Sequence, residues 1–433
     1  MSRTNARSGR PLNIVFRLLG PGLVTGAADD DPSGIATYSQ AGAQFGFGLL
    51  WTVFLTTPFM IAIQLVSAHI GRVTGKGIAA NARQLYPLPL VLVPVCLLLV
   101  ANTINIAADL AAMGEALYLL IGGLKHEHAL IFAALSVLLQ VFVPYRRYAP
   151  VLKFLTLVLF CYVGVAFTIQ VPWRDVLEGT FVPAISLNYD YLLMVVAVLG
   201  TTISPYLFFW QASQEVEEMR HARSRPRQPL KILSRGGGGE LTRMSIDTTT
   251  GMVFSNLIAF FIILATASTL HAHGLTQIET AAQAAEALRP IAGDLAFLLF
   301  ALGIVAGSAA YAIAELFEWP STLEAKFPEA VGFYAIILAA TIIGFGMGFL
   351  PINPIRLLVW TAVINGVVAV PIMVMMMLIV TNRSAMGRFQ ARPSLAWAGW
   401  GATGLMGATV IALLWSLTTG RCVRDLGTSA IGH

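Results

Sequence analysis

Runs of apolar residues long enough to cross a bilayer recur along this chain, and they settle its fold class before any other feature. A hydrocarbon core about 30 Å thick takes roughly 20 helical residues. Candidate spans fall at residues 16–42, 47–70, 89–121, 129–145, 150–171, 190–214, 246–270, 293–317, 330–350, 354–381 and 394–418 of the 433. The chain is 57% hydrophobic and 11% charged, where an ordinary soluble domain carries about 25% charged residues. So few charges cannot cover a soluble surface of this size. A soluble enzyme, a nucleic-acid binder and a disordered chain are excluded. The expectation is an all-α integral membrane protein of about eleven transmembrane helices. Arg17 opens the first apolar run and no small-residue cleavage site follows, so no signal peptide is expected. Cys96, Cys161 and Cys422 are too few and too scattered for a disulfide framework or a zinc site. Cys96 and Cys161 lie in apolar runs and read as core residues.

Basic residues orient the chain. With the N-terminus in the cytoplasm, 21 of the 27 Lys and Arg fall on the cytoplasmic side, seven of them between Arg220 and Arg243. Only Lys125, Arg174, Arg289, Arg356, Arg421 and Arg424 fall outside. That is a clear positive-inside bias. It places the C-terminus outside, and the expected location is a bacterial inner membrane. Residues 219–245, rich in Arg, Pro and Gly, read as a basic linker with some attraction for anionic headgroups. The expected organisation is residues 1–218 with helices 1–6, the linker 219–245, and residues 246–433 with helices 7–11.

Two spans carry a breaker beside polar groups at membrane depth. Helix 1 holds Asp29, Asp30 and Asp31, followed by Pro32-Ser33-Gly34. Helix 6 holds Thr201, Thr202 and Ser204 before Pro205. Proline removes a backbone hydrogen bond and clashes with the preceding turn. Irregular backbone is tolerated in a membrane only around a buried or water-lined cavity. Helices 1 and 6 open two five-helix halves that run in opposite directions, with one further helix at the end. Broken helices at matching positions of inverted halves point to a transporter's midplane site. Each Asp at a helix centre costs about 2.5–3.5 kcal/mol on the insertion scale, and a bound cation offsets that cost. At 100° per residue the three carboxylates fan apart, so Asp31, beside the break, is the leading ligand candidate. Asp29 and Asp30 are assigned to the second shell or a hydrated vestibule.

These residues resemble the Nramp family (natural resistance-associated macrophage protein) of divalent-metal transporters. Gly20-Pro21-Gly22, Asp31-Pro32-Ser33-Gly34, the run Gln40 to Gly46 and Leu50-Trp51 resemble that family's first helix. Residues 361–387, with Asn365, Pro371, Thr381 and Met386-Gly387, resemble its tenth helix and the loop after it. The resemblance implies two inverted five-helix repeats with broken helices 1 and 6, and entry of metal into the cytoplasm. The motifs also depart from the family's. Its D-P-G-N reads Asp31-Pro32-Ser33-Gly34, so Gly34 replaces an Asn ligand. Its helix 6 Met-Pro-His reads Ser204-Pro205-Tyr206, and a later His is Gln211. Its D-x-x-E on helix 3 keeps Asp109 but has Ala112. The paired basic residues of helix 9 have no clear match, Lys326 being the nearest. These replacements resemble the family's magnesium-transporting branch.

A thioether favours softer transition metals; a hydroxyl leaves an all-oxygen site. The expected metal ligands are Asp31, Ser33, Ser204 and backbone carbonyls near Gly34 and Thr201, with waters completing the shell. Mg²⁺, which keeps several waters, suits such a site, and Mn²⁺ fits too. Asp30, Asp29, Asp109 and Tyr206 are the candidates for the second shell or a proton path. Tyr206, with a reference pKa near 10, cannot replace histidine as a relay near neutrality, so weak or no proton coupling is expected. The metal is substrate, and no cofactor is expected. Glu215, Glu217 and Glu218, at the cytoplasmic end of helix 6, either draw cations through an exit vestibule or, the leading reading, pair with the following arginines. The His126/His128 and His271/His273 pairs read as solvated loop residues. Alternatives are a proton-coupled Mn²⁺/Fe²⁺ symporter of the same family and a membrane enzyme using Asp-bound Mg²⁺. An enzyme of that kind usually needs two Asp-rich clusters and phosphate-binding cations; one cluster and few intramembrane cations are present.

Overall fold

The computed structural model describes residues 32–142, 170–220, 228–232, 238–279 and 353–418, with a few isolated helical residues between them. Twelve α-helices follow in chain order: α1 (Pro32–Phe45), α2 (Leu50–Thr74), α3 (Ile78–Leu85), α4 (Leu88–Ile121), α5 (Lys125–Phe142), α6 (Trp173–Phe181), α7 (Tyr189–Thr202), α8 (Pro205–Arg220), α9 (Gly238–Thr269), α10 (Pro354–Thr381), α11 (Arg383–Met386) and α12 (Pro393–Thr418). No strand occurs among the described residues. Six stretches of these residues are long and apolar enough to cross a membrane: Ser33–Thr74, Leu88–Glu115, Tyr189–Met219, Gly238–His273, Ile355–Thr381 and Pro393–Thr418. The expected spans at 150–171, 293–317 and 330–350, and the first half of 16–42, lie largely outside the described residues.

Burial orders the helices. The apolar window of Tyr189–Met219 is 94% buried and that of Pro393–Thr418 only 33%, so α7–α8 forms the axis and α12 the rim. α7 is started by Asn188, whose side chain accepts the Tyr191 amide at 2.8 Å, satisfying a donor that the first turn leaves open. Tyr191 then locks the neighbouring entry: its hydroxyl accepts the Trp51 indole N–H at 3.0 Å, and Phe45 meets its ring edge-on at 5.6 Å. α7 and α10 approach through glycine. A β-carbon on Gly200 would collide with the Ala362 carbonyl and lie 2.6 Å from the Gly366 nitrogen. α8 lies against α2 in parallel register, with Ser67 Oγ donating to the Phe208 carbonyl and Gly71 packed on Ala212. α9 runs along both α1 and α2.

A short segment without regular structure, residues 275–279, follows the 3₁₀ turn His271–His273. It is tied to α1 by Gln40. That amide donates to the Thr276 carbonyl (3.1 Å), Gln277 Oε1 (3.3 Å) and Gln44 Oε1 (3.2 Å), and accepts from the Ile278 amide at 2.9 Å. Asn353, the N-cap of α10, donates to the Glu279 carbonyl.

Three local readings are corrected. α9 begins at Gly238 rather than near 246, so the end of the presumed linker is helix. Cys96 lies on the exposed side of α4 rather than in the core. His128 is buried in the first turn of α5, its Nε2 2.6 Å from the Gly122 carbonyl, because the turn at Gly122–Gly123 folds back over it.

Candidate metal site

The break expected in helix 6 is present, and Pro205 explains its form. α7 stops at Thr202, and Ile203 leaves helical geometry at φ −113°, ψ 60°. Proline has no N–H, so the Thr201 carbonyl loses the donor four residues on. The Ser204 hydroxyl takes over, donating to the Thr201 carbonyl at 2.6 Å and reaching the Gly200 carbonyl at 3.0 Å. Ser204 therefore spends its proton on the backbone and keeps oxygen lone pairs free. The Thr201 carbonyl is bonded rather than bare, and only its second lone pair is left for an ion. Thr201, Ser204 and Tyr206 are all buried.

The beginning of α1 faces α10. Ser33 Oγ lies 3.2 Å from the Leu358 carbonyl and 3.2 Å from Thr361 Oγ1. Thr361 in turn donates to the Leu358 carbonyl at 2.7 Å. One turn further along α1, the Tyr38 hydroxyl meets Thr202 Oγ1 at 2.9 Å. α1 is thus pinned to the last turn of α7 and to α10. Gly34 stands in the first turn of α1. Asp31, Asp30 and Asp29 lie outside the described residues. Among the described residues no group of three or more His, Cys, Asp or Glu is spaced to hold a metal ion.

Asp109 is buried on α4, where Asn105 Nδ2 donates to its Oδ2 at 3.2 Å. α4 packs mainly on α5 and α10. Sequence reasoning missed Thr361 and the Tyr38–Thr202 pair. It also missed Gln64, buried on α2 with neither amide atom hydrogen-bonded, and gave Asn365, whose Oδ1 is buried and unpartnered on α10, no site role. A lone polar residue inside an apolar run was the available signal, since polar groups at membrane depth mark functional interiors.

A buried helix that unwinds at mid-span around hydroxyls and carbonyls, with a second helix entering beside the break, defines a secondary transporter of the broken-helix class. The chain belongs to the Nramp family: the model described as natural resistance-associated macrophage protein-like matches residues 22–416. It is 29% identical over 316 residues to the divalent metal cation transporter MntH of Erwinia tasmaniensis, covering 70% of this chain and 71% of that one. It is 25% identical over 390 residues to the protein of the same name from Aeromonas hydrophila, covering 87% and 90%. Its fold is similar to crystal structures of a manganese transporter from Eremococcus coleocola, with a TM-score of 0.72 at 15% identity over 96% of this chain and 90% of that one. A nucleobase-cation-symport-1 family transporter, Mhp1, shares the fold more distantly, at a TM-score of 0.56 and 15% identity over 93% of both chains. The relatives are named as transporters, in agreement with the expectation that the chain is not an enzyme.

Proposed function

We propose that this protein carries divalent metal cations, Mg²⁺ or Mn²⁺ first among them, across the membrane into the cytoplasm, with weak or no proton coupling. The helix break at Ile203–Ser204, beside the start of α1, carries the reading. The donors in this reading are oxygens: the Ser204 hydroxyl, the Thr201 carbonyl and the Ser33 hydroxyl, with Asp31, two residues before Ser33 in sequence, supplying the charge. Hard, oxygen-rich sites with room for retained water suit Mg²⁺ and Mn²⁺. The relatives' names support a divalent metal, and those of the structural neighbours support Mn²⁺. The membrane potential is worth about 2.3 kcal/mol per charge per 100 mV. A divalent ion thus gains about 4.6 kcal/mol at 100 mV with no proton to help.

The test is uptake into proteoliposomes, with Mg²⁺, Mn²⁺, Fe²⁺, Ca²⁺ and Al³⁺ compared side by side. Asp31→Ala is expected to abolish uptake while the protein still inserts and elutes as one species. Near-normal uptake by that variant would move the site elsewhere. The second reading, a proton-coupled Mn²⁺/Fe²⁺ symporter, is favoured by the buried carboxylate of Asp109. An Fe²⁺ preference together with metal-driven acidification would select it.

A further inference from the structure

Arg72, in the last turn of α2, is only 2% exposed and sits among carboxylates from two other helices. Its Nη1 lies 3.7 Å from Glu215 Oε2 and 3.7 Å from Glu218 Oε2; its Nε lies 3.4 Å from Glu240 Oε2. A guanidinium that staples helices forks onto one carboxylate with two bonds of about 2.7–2.9 Å. Here neither Nε nor Nη1 makes a hydrogen bond. The group acts as a charge held between oxygens rather than as a fork. Beside it, Gln211 is fully buried: its Nε2 donates to Glu215 Oε1 at 3.3 Å, and its Oε1 has no partner. The amide meets the buried carboxylate through its nitrogen and leaves its oxygen buried with nothing to accept, a lone pair open to a cation. Arg243 holds the far oxygen of Glu218 at 3.2 Å.

The cluster's position connects it to the helix break. Ser204, Gln211, Glu215 and Glu218 are spaced 7, 4 and 3 apart, which places them on one face of α8 and the residue before it. From Ser204 to Glu215 is about 16 Å at the helical rise. α2 walls this face through Ser67 and Gly71, against Phe208 and Ala212. The positive-inside count assigns this end of α8 to the cytoplasmic surface. An ion released from the break toward the cytoplasm has this stripe of oxygens ahead of it and Arg72 at its end.

We propose that the Arg72 guanidinium stands in for a divalent cation in a second, exit-side site formed by Glu215, Glu218, Glu240 and the Gln211 carbonyl oxygen, and that the departing metal displaces it. The proposal rests on the metal-transport reading above. It accounts for the loose spacing: the carboxylates are held apart by a bulky planar cation and close around a smaller one only when it leaves. The alternative is that Arg72 simply ties α2 to α8 and α9, and the experiment separates the two.

The full-length chain in nanodiscs is titrated with Mn²⁺, and bound ions per chain are counted by electron paramagnetic resonance. Asp31→Ala is expected to bind none. Asp31→Ala with Arg72→Gln should gain one, and adding Glu215→Gln should lose it again. A monodisperse Asp31→Ala/Arg72→Gln protein that gains no ion overturns the proposal. Should that variant fail to fold, Glu215→Gln alone, with Asp31 and Arg72 intact, decides the matter. It should keep the one ion at the break yet transport about tenfold more slowly, the equivalent of about 1.4 kcal/mol on the barrier; unchanged uptake overturns the proposal. An ion still held by Asp31→Ala alone would instead refute the Asp31 assignment. The comparison with and without Arg72 would still read as a gain of one ion or of none.

Discussion

Gly200 lies one turn before the helix break, and the contact it allows between α7 and α10 can be perturbed with a calculable result. A β-carbon there would run into the Ala362 carbonyl oxygen and stand 2.6 Å from Gly366 N and 2.8 Å from Gly366 Cα. All three are backbone atoms, so no rotamer change relieves the clash, and carbon contacts prefer about 3.5–4.0 Å. α10 has to retreat by on the order of 1 Å. On Gly366 the same addition meets Val196 O at 3.0 Å, Val196 Cγ1 at 3.1 Å and Gly200 Cα at 3.3 Å, which a few tenths of an ångström would accommodate. Overpacking costs about 1–3 kcal/mol. Gly200→Ala should therefore cost about 3 kcal/mol and Gly366→Ala about 1. The retreat of α10 also pulls Thr361 from Ser33, now 3.2 Å away, so uptake should fall in Gly200→Ala beyond what lost protein explains. The assays are thermal loss of the monodisperse peak in detergent and Mn²⁺ uptake per folded protein. Equal losses in the two variants, or a larger one in Gly366→Ala, would refute the packing argument.

Ser204→Met removes the hydroxyl that satisfies the Thr201 carbonyl and supplies a thioether at the break. Competition uptake should shift toward Cd²⁺ and Fe²⁺ at the expense of Mg²⁺, and an unchanged ion ranking would show that residue 204 does not meet the ion. Tyr38→Phe deletes the 2.9 Å bond to Thr202, while Thr202 keeps its own bond to the Val198 carbonyl. The cost should be about 1 kcal/mol, read as a small drop in melting temperature with ion selectivity unaltered. A pH-sensitive dye trapped in proteoliposomes under an imposed potential should show little metal-dependent acidification. Strong acidification would make Asp29→Asn and Asp30→Asn the next variants to measure.

Helix identity and the break were legible because local chemistry dictates them. The span expected at 354–381 is α10, that at 89–121 is α4 within a residue, and Pro205 ends α7 as a mid-helix proline must. Three other features were not. The glycine-rich start of α9 has the composition of a linker. Its helix is held by tertiary ties that no local window contains: Glu240 against Arg72 and Arg243 against Glu218. Thr361 joins the site through Ser33, 328 residues away in sequence. Arg72 ends an apolar run and reads as an ordinary cytoplasmic flank; only the fold shows it enclosed. Ser204 stands out in the sequence beside Pro205, but its bond to the carbonyl that Pro205 leaves unpaired depends on side-chain direction within the break.

The strap at residues 275–279 makes its own release a mechanical property of α1. Gln40 grips the strap two turns beyond Ser33 on the same helix, and Asn353 grips it at the start of α10. Three hydrogen bonds join Gln40 to the strap, each worth about 1 kcal/mol net. The flip of one side chain cannot lift the strap. Tilting α1 can, and the same tilt acts as a lever on the short arm that ends at Ser33, drawing it from Leu358 and Thr361. Releasing the strap and parting Ser33 from α10 are then two ends of one rigid rod.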